Sequence, residues 1–373
     1  MSNALGGLDT QSSTSEERYL VVRDPDDVRE VFNRSEDFSS ANALVAETPL
    51  TPQSLRVLQD VRFALPPVLA NNDSESHRGI RRVVAGFFTP MIVAGLEPRM
   101  RDLAGSAVAR AASDLVACGT VDLVPAVTAH PPAILMLEML GLSALDIPQL
   151  KTWSRDSLEL FWGWPADERQ VQLARSAALF YEWLRDLVAD SVAADEPNLF
   201  SALARHGLTT AQICSVGYFL LIAAQETTSQ LASTTMFRVL DGTCNVTWAQ
   251  VASKEAATSA VRHVLATESS GLTARRVASR DTALRGEVIP AGAEILLELT
   301  GNHDLEAEAT DYSLAFGSGI HRCLGARLAE LETVVLLQET AAALPSIRLD
   351  DLTPPWTRLL SFRSPRSVTV ART

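Results

Sequence analysis

The chain has 373 residues, with 32 Lys and Arg against 45 Asp and Glu, so its formal net charge is −13. A surface of this sign repels nucleic acid and anionic membranes, so neither is expected as a partner. Hydrophobic residues make up 47% and charged residues 21%, a globular composition that excludes a disordered or fibrous protein. The cysteines form no Cys-x-x-Cys pair, so neither a zinc site nor a dense disulfide framework is indicated.

The predicted elements begin after a polar, Ser/Thr-rich stretch at residues 1–18, which is expected to be a disordered tail. This stretch has neither a basic start nor an apolar run, so we expect no signal peptide and a soluble, cytoplasmic protein. A short strand is predicted at 19–22, followed by a helix from Asp24 to Phe32 with an acidic first turn. Residues 41–73 contain prolines at 49, 52, 66 and 67 and are expected to form a long irregular loop, a feature that is often functional.

Helical patterns dominate the middle of the chain. The longest predicted helix begins at Thr209, which with Gln212 fits a capping box, and its apolar periodicity extends to Leu240. The remaining predicted elements are helices at 77–117, at 131–140, in two or three segments of 145–195 and after Cys323, and strands at 275–279, 284–299 and 367–370. No linker-like shift of composition occurs. Residues 19–373 are therefore predicted to form a single, mainly α-helical domain with a small β portion.

The strongest chemical signal is the string from Phe316 to Gly325, Phe-Gly-Ser-Gly-Ile-His-Arg-Cys-Leu-Gly. Gly317 and Gly319 permit a tight loop, and Gly325 permits close approach of the backbone to a flat group. Cys323 lies where this loop leads into a helix, and the dipole and free N–H groups of a helix N-terminus favour a thiolate. Taken alone, a Gly-x-Gly or a single cysteine more often marks a loop with an incidental buried cysteine.

The complete string resembles the signature of the cytochrome P450 superfamily, Phe-Gly-x-Gly-x-His-x-Cys-x-Gly, as found in soluble bacterial members. The resemblance implies the P450 fold, with haem b between the long central helix and the cysteine loop. It implies that Cys323 is the metal ligand, the proximal thiolate of the haem iron. It also implies that His321 contacts a haem propionate, that Phe316 packs near the ligand loop, and that Gly317, Gly319 and Gly325 belong to the cofactor-binding loop.

Cationic residues elsewhere extend the resemblance. His77 and Arg81 match the family's His-x-x-x-Arg helix, and their spacing puts both on one helix face. The resemblance implies that they present two cations to the haem propionates, whereas the alternative is a solvated basic face. Arg276 lies where the family has another propionate-binding arginine.

A polar stretch, Ala223-Ala224-Gln225-Glu226-Thr227-Thr228, lies in the middle of the long helix. Burying such groups costs free energy unless they are paired. In one interpretation a threonine bonds back to the carbonyl one turn earlier and Glu226 is simply exposed. The resemblance to the family's Ala-Gly-x-Glu-Thr motif implies instead that Ala223 lies at the haem and that Glu226 and Thr227 are a catalytic acid–alcohol pair that delivers protons. Ala224 replaces the commoner glycine.

The family's Glu-x-x-Arg motif is absent, because His263 stands for the glutamate and Ala266 for the arginine. The segment between Asn302 and Phe316 is also shorter than the family's meander. In the family the Glu–Arg pair is buried and clamps the meander. Removing one partner of such a pair costs about 3–5 kcal/mol, whereas removing both can be nearly neutral, so loss of the pair together with the loop is compatible with folding.

Two hypotheses of function follow from the resemblance. The first is a haem-thiolate monooxygenase that inserts one oxygen atom from O2 into a small or medium-sized organic substrate, with natural-product tailoring as the commonest setting. A ferredoxin-type donor would supply electrons at a basic corner formed by Arg78, Arg82, Arg322 and Arg327. The alternative is a non-catalytic P450-like auxiliary protein that binds and stabilises a partner enzyme such as a glycosyltransferase. The missing motif favours the auxiliary protein, and the retained Cys323 favours the enzyme.

The resemblance places substrate contacts in mostly apolar segments, which indicates an apolar or aromatic ligand. These segments are 41–73, 161–164, 216–224 and 273–274. Residues 41–73 and 160–190 are candidate lids.

Overall fold

The computed structural model describes residues 18–142, 146–301 and 311–373. Within these ranges the α-helices, numbered in chain order, are α1 (Pro25–Asn33), α2 (Pro52–Asp60), α3 (Ser76–Ala85), α4 (Pro90–Gly95), α5 (Glu97–Cys118), α6 (His130–Met139), α7 (Ile147–Trp162), α8 (Asp167–Ala193), α9 (Leu199–Arg205), α10 (Thr210–Leu240), α11 (Lys254–Glu268) and α12 (Ala326–Ala343). The strands are β1 (Leu20–Val22), β2 (Phe38–Ser39), β3 (Thr120–Asp122), β4 (Thr273–Ala278), β5 (Thr282–Leu284), β6 (Glu287–Ile289), β7 (Glu294–Glu298), β8 (Ile347–Leu349), β9 (Trp356–Arg358), β10 (Arg363–Pro365) and β11 (Thr369–Arg372). The predicted mainly α architecture with a small β portion is confirmed.

Helix α10 is the centre of the molecule. The predicted capping box is present, since the Thr209 hydroxyl accepts from the Gln212 backbone N–H and the Gln212 side chain accepts from the Thr209 N–H. The helix is apolar around most of its circumference and is surrounded by α6, α7, α8, α9, α11 and α12. A helix that is apolar on every side is stable only when buried, so its sequence dictates this central position.

The largest sheet of the described residues joins two N-terminal strands to strands between residues 273 and 298, in the order β1-β7-β4-β2. β1 is parallel to β7, and β4 is antiparallel to both β7 and β2. In β4, Arg275 is opposite Leu296 and Arg276 is opposite Ile295. Successive side chains of a strand point to opposite faces, so these two arginines serve different sides of the sheet.

Three expectations from the sequence need correction. Residues 41–73 are not wholly irregular, because α2 forms there with Thr51 as its N-cap and Pro52 in its first turn. The tail predicted for 1–18 lies outside the described residues except for Arg18, which is held by Glu294 and Glu47 rather than being disordered. The sequence predicts Cys118, Cys214 and Cys244 to be buried small hydrophobic side chains, but only Cys214 and Cys244 are buried and Cys118 is exposed.

Among the described residues, no single helix is long and apolar enough to cross a membrane. Among the same described residues, the helical segments Ser76–Gly95 and Glu97–Cys118 reach the required length and apolar composition when taken together, but they are bent by 71° relative to each other.

Candidate functional site

The middle of α10 has one face that other elements leave uncovered, the open face, which is formed by Ala223, Ala224 and Thr227. Ala223 is exposed, and Ala224 and Thr227 are partly exposed, although most other residues of the helix are buried. Positions four apart lie above one another on a helix, so these side chains share one face. The Thr227 hydroxyl donates to the Ala223 carbonyl oxygen at 2.7 Å, which is the back-bonding expected in one interpretation of the sequence. The face is therefore apolar except for one hydroxyl.

Glu226 is buried, so the expectation that it is simply exposed is wrong. Its Oε1 lies 2.7 Å from Nζ of Lys151 in α7, and the two side chains are only 4% and 3% exposed. Lys151 also donates to Gln225 Oε1 at 2.7 Å, and the Gln225 amide donates to Ser154 at 2.8 Å. Burial lowers the pKa of Lys151 and the Glu226 carboxylate opposes this shift. The polar stretch of α10 is thus paired, as the cost of burial requires.

Sequence reasoning missed Lys151, which is the main partner of Glu226. The signal is the position of a lysine on the helix face that also carries Leu150, Ser154 and Leu158, all of which are buried. A charge on a buried face requires a partner of opposite sign. A second cation, Arg155, approaches Glu226 Oε1 to 3.9 Å, but its side chain is 57% exposed.

The cysteine loop has the tight geometry that its glycines predict. Gly317 and Gly319 have positive φ angles of 67° and 66°. A Cβ on Gly319 would lie 2.6 Å from the Phe32 carbonyl oxygen, so only glycine fits there. The Cys323 N–H donates to the Phe316 carbonyl oxygen at 2.8 Å and closes the loop just before α12 begins.

The thiol of Cys323 is accessible and lies beside cationic groups. The backbone N–H groups of Gly325 and Ala326 and the cations of Arg81 and Arg322 all favour the thiolate. Although Cys323 is an exposed residue, the protein atoms packed around the sulfur desolvate it, and this outweighs those groups and raises the pKa of the Cys323 thiol. The helix N-terminus therefore acts in the direction predicted from the sequence, but in the protein alone it does not suffice to ionise the sulfur.

The structure brings the predicted propionate residues close together. The rings of His77 and His321 lie 4.9 Å apart, and His321 Nε2 lies 3.0 Å from the Asn72 carbonyl oxygen. Arg81 donates to the Arg322 carbonyl oxygen, which places it beside the cysteine loop. Burial lowers the pKa of His321 to about 4 and also lowers that of His77. The sequence predicted two cations at His77 and Arg81, whereas His77 is neutral at pH 7 in the protein alone.

Arg276 is buried on the same side, with its guanidinium 4.9 Å from the centre of the Phe32 ring. It donates to the Arg275 carbonyl oxygen at 2.7 Å, and burial lowers its pKa to about 10. No carboxylate of the described residues forms an ion pair with it.

These residues fit haem b. His77 Nε2 is buried without a hydrogen-bond partner, and Arg276 is buried without an ion pair among the described residues. Buried polar groups are nearly always satisfied, so both side chains favour a carboxylate-bearing group beside them. A Cβ at Gly325 would lie 3.9 Å from the Cys323 sulfur, so this glycine borders the thiol and leaves that side of it free of a side chain.

The two positions of the absent Glu-x-x-Arg motif make backbone contacts. Ala266 lies in α11, where its carbonyl oxygen accepts from the Gly301 N–H at 3.0 Å, and the His263 carbonyl oxygen accepts from the Thr267 hydroxyl. Glu268, the last residue of α11, forms an ion pair with Arg238 near the end of α10. The shortened meander predicted between Asn302 and Phe316 falls mostly outside the described residues.

No family model matches the chain, but individual proteins do. It is 27% identical over 337 residues to the cytochrome P450 monooxygenase PikC of Streptomyces venezuelae, covering 84% of this chain and 78% of that protein. It is 28% identical over 305 residues to the erythromycin C-12 hydroxylase of Saccharopolyspora erythraea, covering 76% and 75%.

Solved structures give the same result. The structure of cytochrome P450 CREJ in complex with (4-ethylphenyl) dihydrogen phosphate superposes with a TM-score of 0.88 and 29% identity, covering 95% of this chain and 92% of that one. At this coverage the similarity extends over nearly the whole chain. The curated and structural neighbours therefore all point to the bacterial cytochrome P450 family, whose members bind haem b.

Proposed function

We propose that the protein is a haem-thiolate monooxygenase that acts on a small or medium-sized apolar organic substrate, in the tailoring of a natural product. The observation that carries this proposal is that the Cys323 loop brings His321 to within 4.9 Å of His77, whose Nε2 is unpartnered, and within electrostatic reach of the buried Arg276, which forms no ion pair among the described residues. The reaction consumes O2, two electrons and two protons. One oxygen atom is inserted into a C–H bond of the substrate and the other leaves as water.

Each residue of the site has a part in this proposal. The Cys323 thiolate would hold the haem iron, and haem bound in this way supplies the activation of O2. His77, Arg81, Arg276 and His321 would bind the propionates through hydrogen bonds and charge. Phe316, Gly317, Gly319 and Gly325 would shape the loop below the ring, and Ala223 would lie above it.

Glu226 and Thr227 would move protons to the open face of α10. The Thr227 hydroxyl faces that side but donates to the Ala223 carbonyl oxygen, so it has to rotate to donate elsewhere. The Glu226 carboxylate is paired with Lys151, so it has to leave that partner to take a proton toward Thr227. Arg155, which is partly in solvent and 3.9 Å from Glu226, marks the direction from which protons would come.

The proposed substrate chemistry follows from the side chains near the open face. Trp162 packs edge-on against Phe362 at 5.2 Å and Phe219 at 6.4 Å between ring centres. Glu47, a charged residue of the 41–73 segment, is neutralised by an ion pair with Arg275, which directly follows the 273–274 segment. An uncharged apolar or aromatic molecule suits such walls. The relatives PikC and erythromycin C-12 hydroxylase support a tailoring role by similarity alone.

A ferredoxin-type donor in the cytoplasm is the proposed source of electrons. Arg78, Arg82, Arg322 and Arg327 are all exposed. An acidic partner would be attracted to this corner of an otherwise negative protein, so the rate of reduction should fall as salt is added. A reduction rate independent of salt would contradict this docking.

A carbon monoxide difference spectrum of the reduced, haem-supplied protein tests the proposal. We expect the red-shifted Soret band of a thiolate-ligated haem. Cys323→Ser should abolish this band, while Cys118→Ser, a substitution of an exposed cysteine at the end of α5, should leave it unchanged. If the native protein folds but shows no such band, the monooxygenase proposal fails and the non-catalytic auxiliary protein, which the absence of Glu-x-x-Arg favours, takes its place.

A further inference from the structure

The loop between β2 and α2 is fastened at one buried carboxylate. In this lid loop, defined as residues 41–51, the Glu47 side chain is only 4% exposed. Its Oε2 accepts from the Tyr19 hydroxyl at 2.6 Å and lies 3.4 Å from NH1 of Arg275 in β4, whose side chain is 2% exposed. Arg18 also donates to Glu47, at 3.0 Å to its carbonyl oxygen and 3.2 Å to Oε1. A loop on the surface is thus tied to the sheet by a buried ion pair.

Arg275 is committed to the lid loop by further bonds. The guanidinium nitrogen Nη2 of Arg275 donates to the carbonyl oxygens of Ala43 at 3.0 Å and Val45 at 2.8 Å. These bonds fix the backbone before Glu47. The Arg275 Nε is buried with no hydrogen-bond partner, so the side chain already lacks one bond in the closed arrangement. Loss of the Glu47 charge would leave the guanidinium buried without a counter-ion, a state that favours opening of the loop to water.

The lid loop is also bonded to the end of α7. The Glu47 N–H donates to the Phe161 carbonyl oxygen at 3.0 Å, and the Thr48 hydroxyl donates to the Gly163 carbonyl oxygen at 3.1 Å. Between them, the Trp162 carbonyl oxygen accepts from the Leu360 N–H of the β9–β10 hairpin at 2.8 Å. The lid loop, the end of α7 and the β9–β10 hairpin, which are far apart in the sequence, therefore meet around Trp162.

Trp162 connects this meeting point with the open face of α10. Its ring centre lies 6.0 Å from the Arg275 guanidinium on one side. On the other side it contacts Phe219, which lies one helical turn before Ala223. An arginine over an indole contributes attraction as well as packing. The position of Trp162 against Phe219 at the open face of α10 therefore depends on Arg275, and that of Arg275 depends on Glu47.

We propose that Glu47 is a positioning residue that, through Arg275, holds Trp162 and the lid loop closed over the open face of α10 and thereby sets the rate at which bulky apolar ligands reach the haem. The proposal rests on the proposed function, because the lid covers the space where substrate binds. Release of the Glu47–Arg275 pair frees the lid loop and the end of α7 together. Small ligands pass without this release, whereas ligands of the size of a substituted benzene need it.

Stopped-flow binding of 4-phenylimidazole and of imidazole to the haem-loaded protein tests the proposal. For Glu47→Gln we expect the 4-phenylimidazole on-rate to rise about tenfold and that of imidazole by less than about twofold, because only the larger ligand waits for the lid. Tyr19→Phe, which removes only the hydroxyl bond to Glu47, should raise the 4-phenylimidazole rate about twofold to threefold. The matched control is Glu138→Gln, which removes a carboxylate paired with Arg99 on the exposed surface of α6 and should change neither rate.

A double-mutant comparison shows whether the effect passes through Arg275. In an Arg275→Gln background, Glu47→Gln should no longer change the 4-phenylimidazole rate. Equal acceleration of both ligands, or no change in Glu47→Gln and Tyr19→Phe, would overturn the proposal. If Glu47→Gln or Arg275→Gln does not fold, the 4-phenylimidazole on-rate of Tyr19→Phe tests the proposal instead.

Hydrogen exchange of the amides of residues 41–51 gives a readout that needs no haem. It should be about tenfold faster in Glu47→Gln than in Glu138→Gln. If the protein takes up no haem, the proposed function fails and this exchange still decides whether the Glu47–Arg275 pair holds the loop. Unchanged exchange would overturn the lid proposal while leaving the proposed function intact.

Discussion

Replacing Lys151 by methionine tests whether the polar stretch of α10 is held by a buried ion pair. The Lys151 and Glu226 side chains are 3% and 4% exposed and their charged atoms are 2.7 Å apart. Removing one partner of such a pair leaves an uncompensated buried charge, so Lys151→Met should lower the free energy of unfolding by about 3–5 kcal/mol. Gln225 would lose its bond from Lys151 as well, which acts in the same direction.

The expected change in melting temperature follows from the size of the chain. An unfolding entropy of about 2.1 cal/mol/K per residue gives about 0.8 kcal/mol/K for 373 residues. A loss of about 3–5 kcal/mol therefore lowers Tm by about 4–6 °C, measured by calorimetry at equal haem loading. Removing both charges in Lys151→Met/Glu226→Gln should restore most of this loss, because a neutral pair has no buried charge left to compensate.

The control for this experiment is another lysine on a helix. Lys254 lies 4.0 Å from Glu97 with its side chain 63% exposed, so Lys254→Met should change stability by less than about 0.5 kcal/mol. A Lys151→Met cost below about 1 kcal/mol would refute the reasoning. So would a double variant as unstable as the single one, since the buried charge would then not be the cause.

Three further predictions concern α12, which follows Cys323, and the glycines on either side of that cysteine. Burial raises the pKa of Glu332 in α12 well above its ordinary value, so the folded state holds a proton that the unfolded state releases, and this contribution to stability is lost as pH rises. In urea titrations, Glu332→Gln should therefore become more stable relative to the native protein as pH rises from 5 to 8. A stability difference that is the same at every pH would contradict this. Gly319→Ala puts a Cβ 2.6 Å from the Phe32 carbonyl oxygen at a φ of 66° and should cost about 2 kcal/mol or more in unfolding even without haem. A Cβ at Gly325 makes only ordinary contacts, so Gly325→Ala should change the free energy of unfolding of the haem-free protein by less than about 0.5 kcal/mol. It should weaken haem uptake, measured by titration of the Soret band. Equal haem uptake by Gly325→Ala and the native protein would show that nothing flat lies against Gly325.

Local sequence rules predicted the elements that carry the site. The capping box at Thr209 marked the start of α10, and the glycine spacing before Cys323 marked the loop whose positive φ angles the structure contains. Both are local features, because a cap and a tight turn are decided by residues a few positions apart. The helix α2 was missed although Thr51-Pro52 is an N-cap followed by a first-turn proline, since the other prolines nearby favoured a loop.

The pairing of charges could not be predicted from one sequence. Glu226 was expected either in solvent or as a free catalytic acid, and its partner Lys151 lies in a different helix. The same holds for Glu47, which meets Tyr19 and Arg275 only because β1, the lid loop and β4 come together in the fold. Contacts of this kind depend on helix packing and strand order, which local propensity does not determine.

The two adjacent arginines of β4 make this strand sensitive to insertion or deletion in a way that its neighbours are not. Arg275 faces Trp162 and the lid, and Arg276 faces Phe32 and the histidine pair. A shift of the register against β7 by one residue would exchange the two faces, because side chains alternate with a period of two. The proposed lid contacts and the proposed cofactor contacts would then fail together even though the composition of the strand had not changed. Variants of β4 are thus better made by substitution than by changes of length, and natural relatives with different lids are expected to keep the length of this strand.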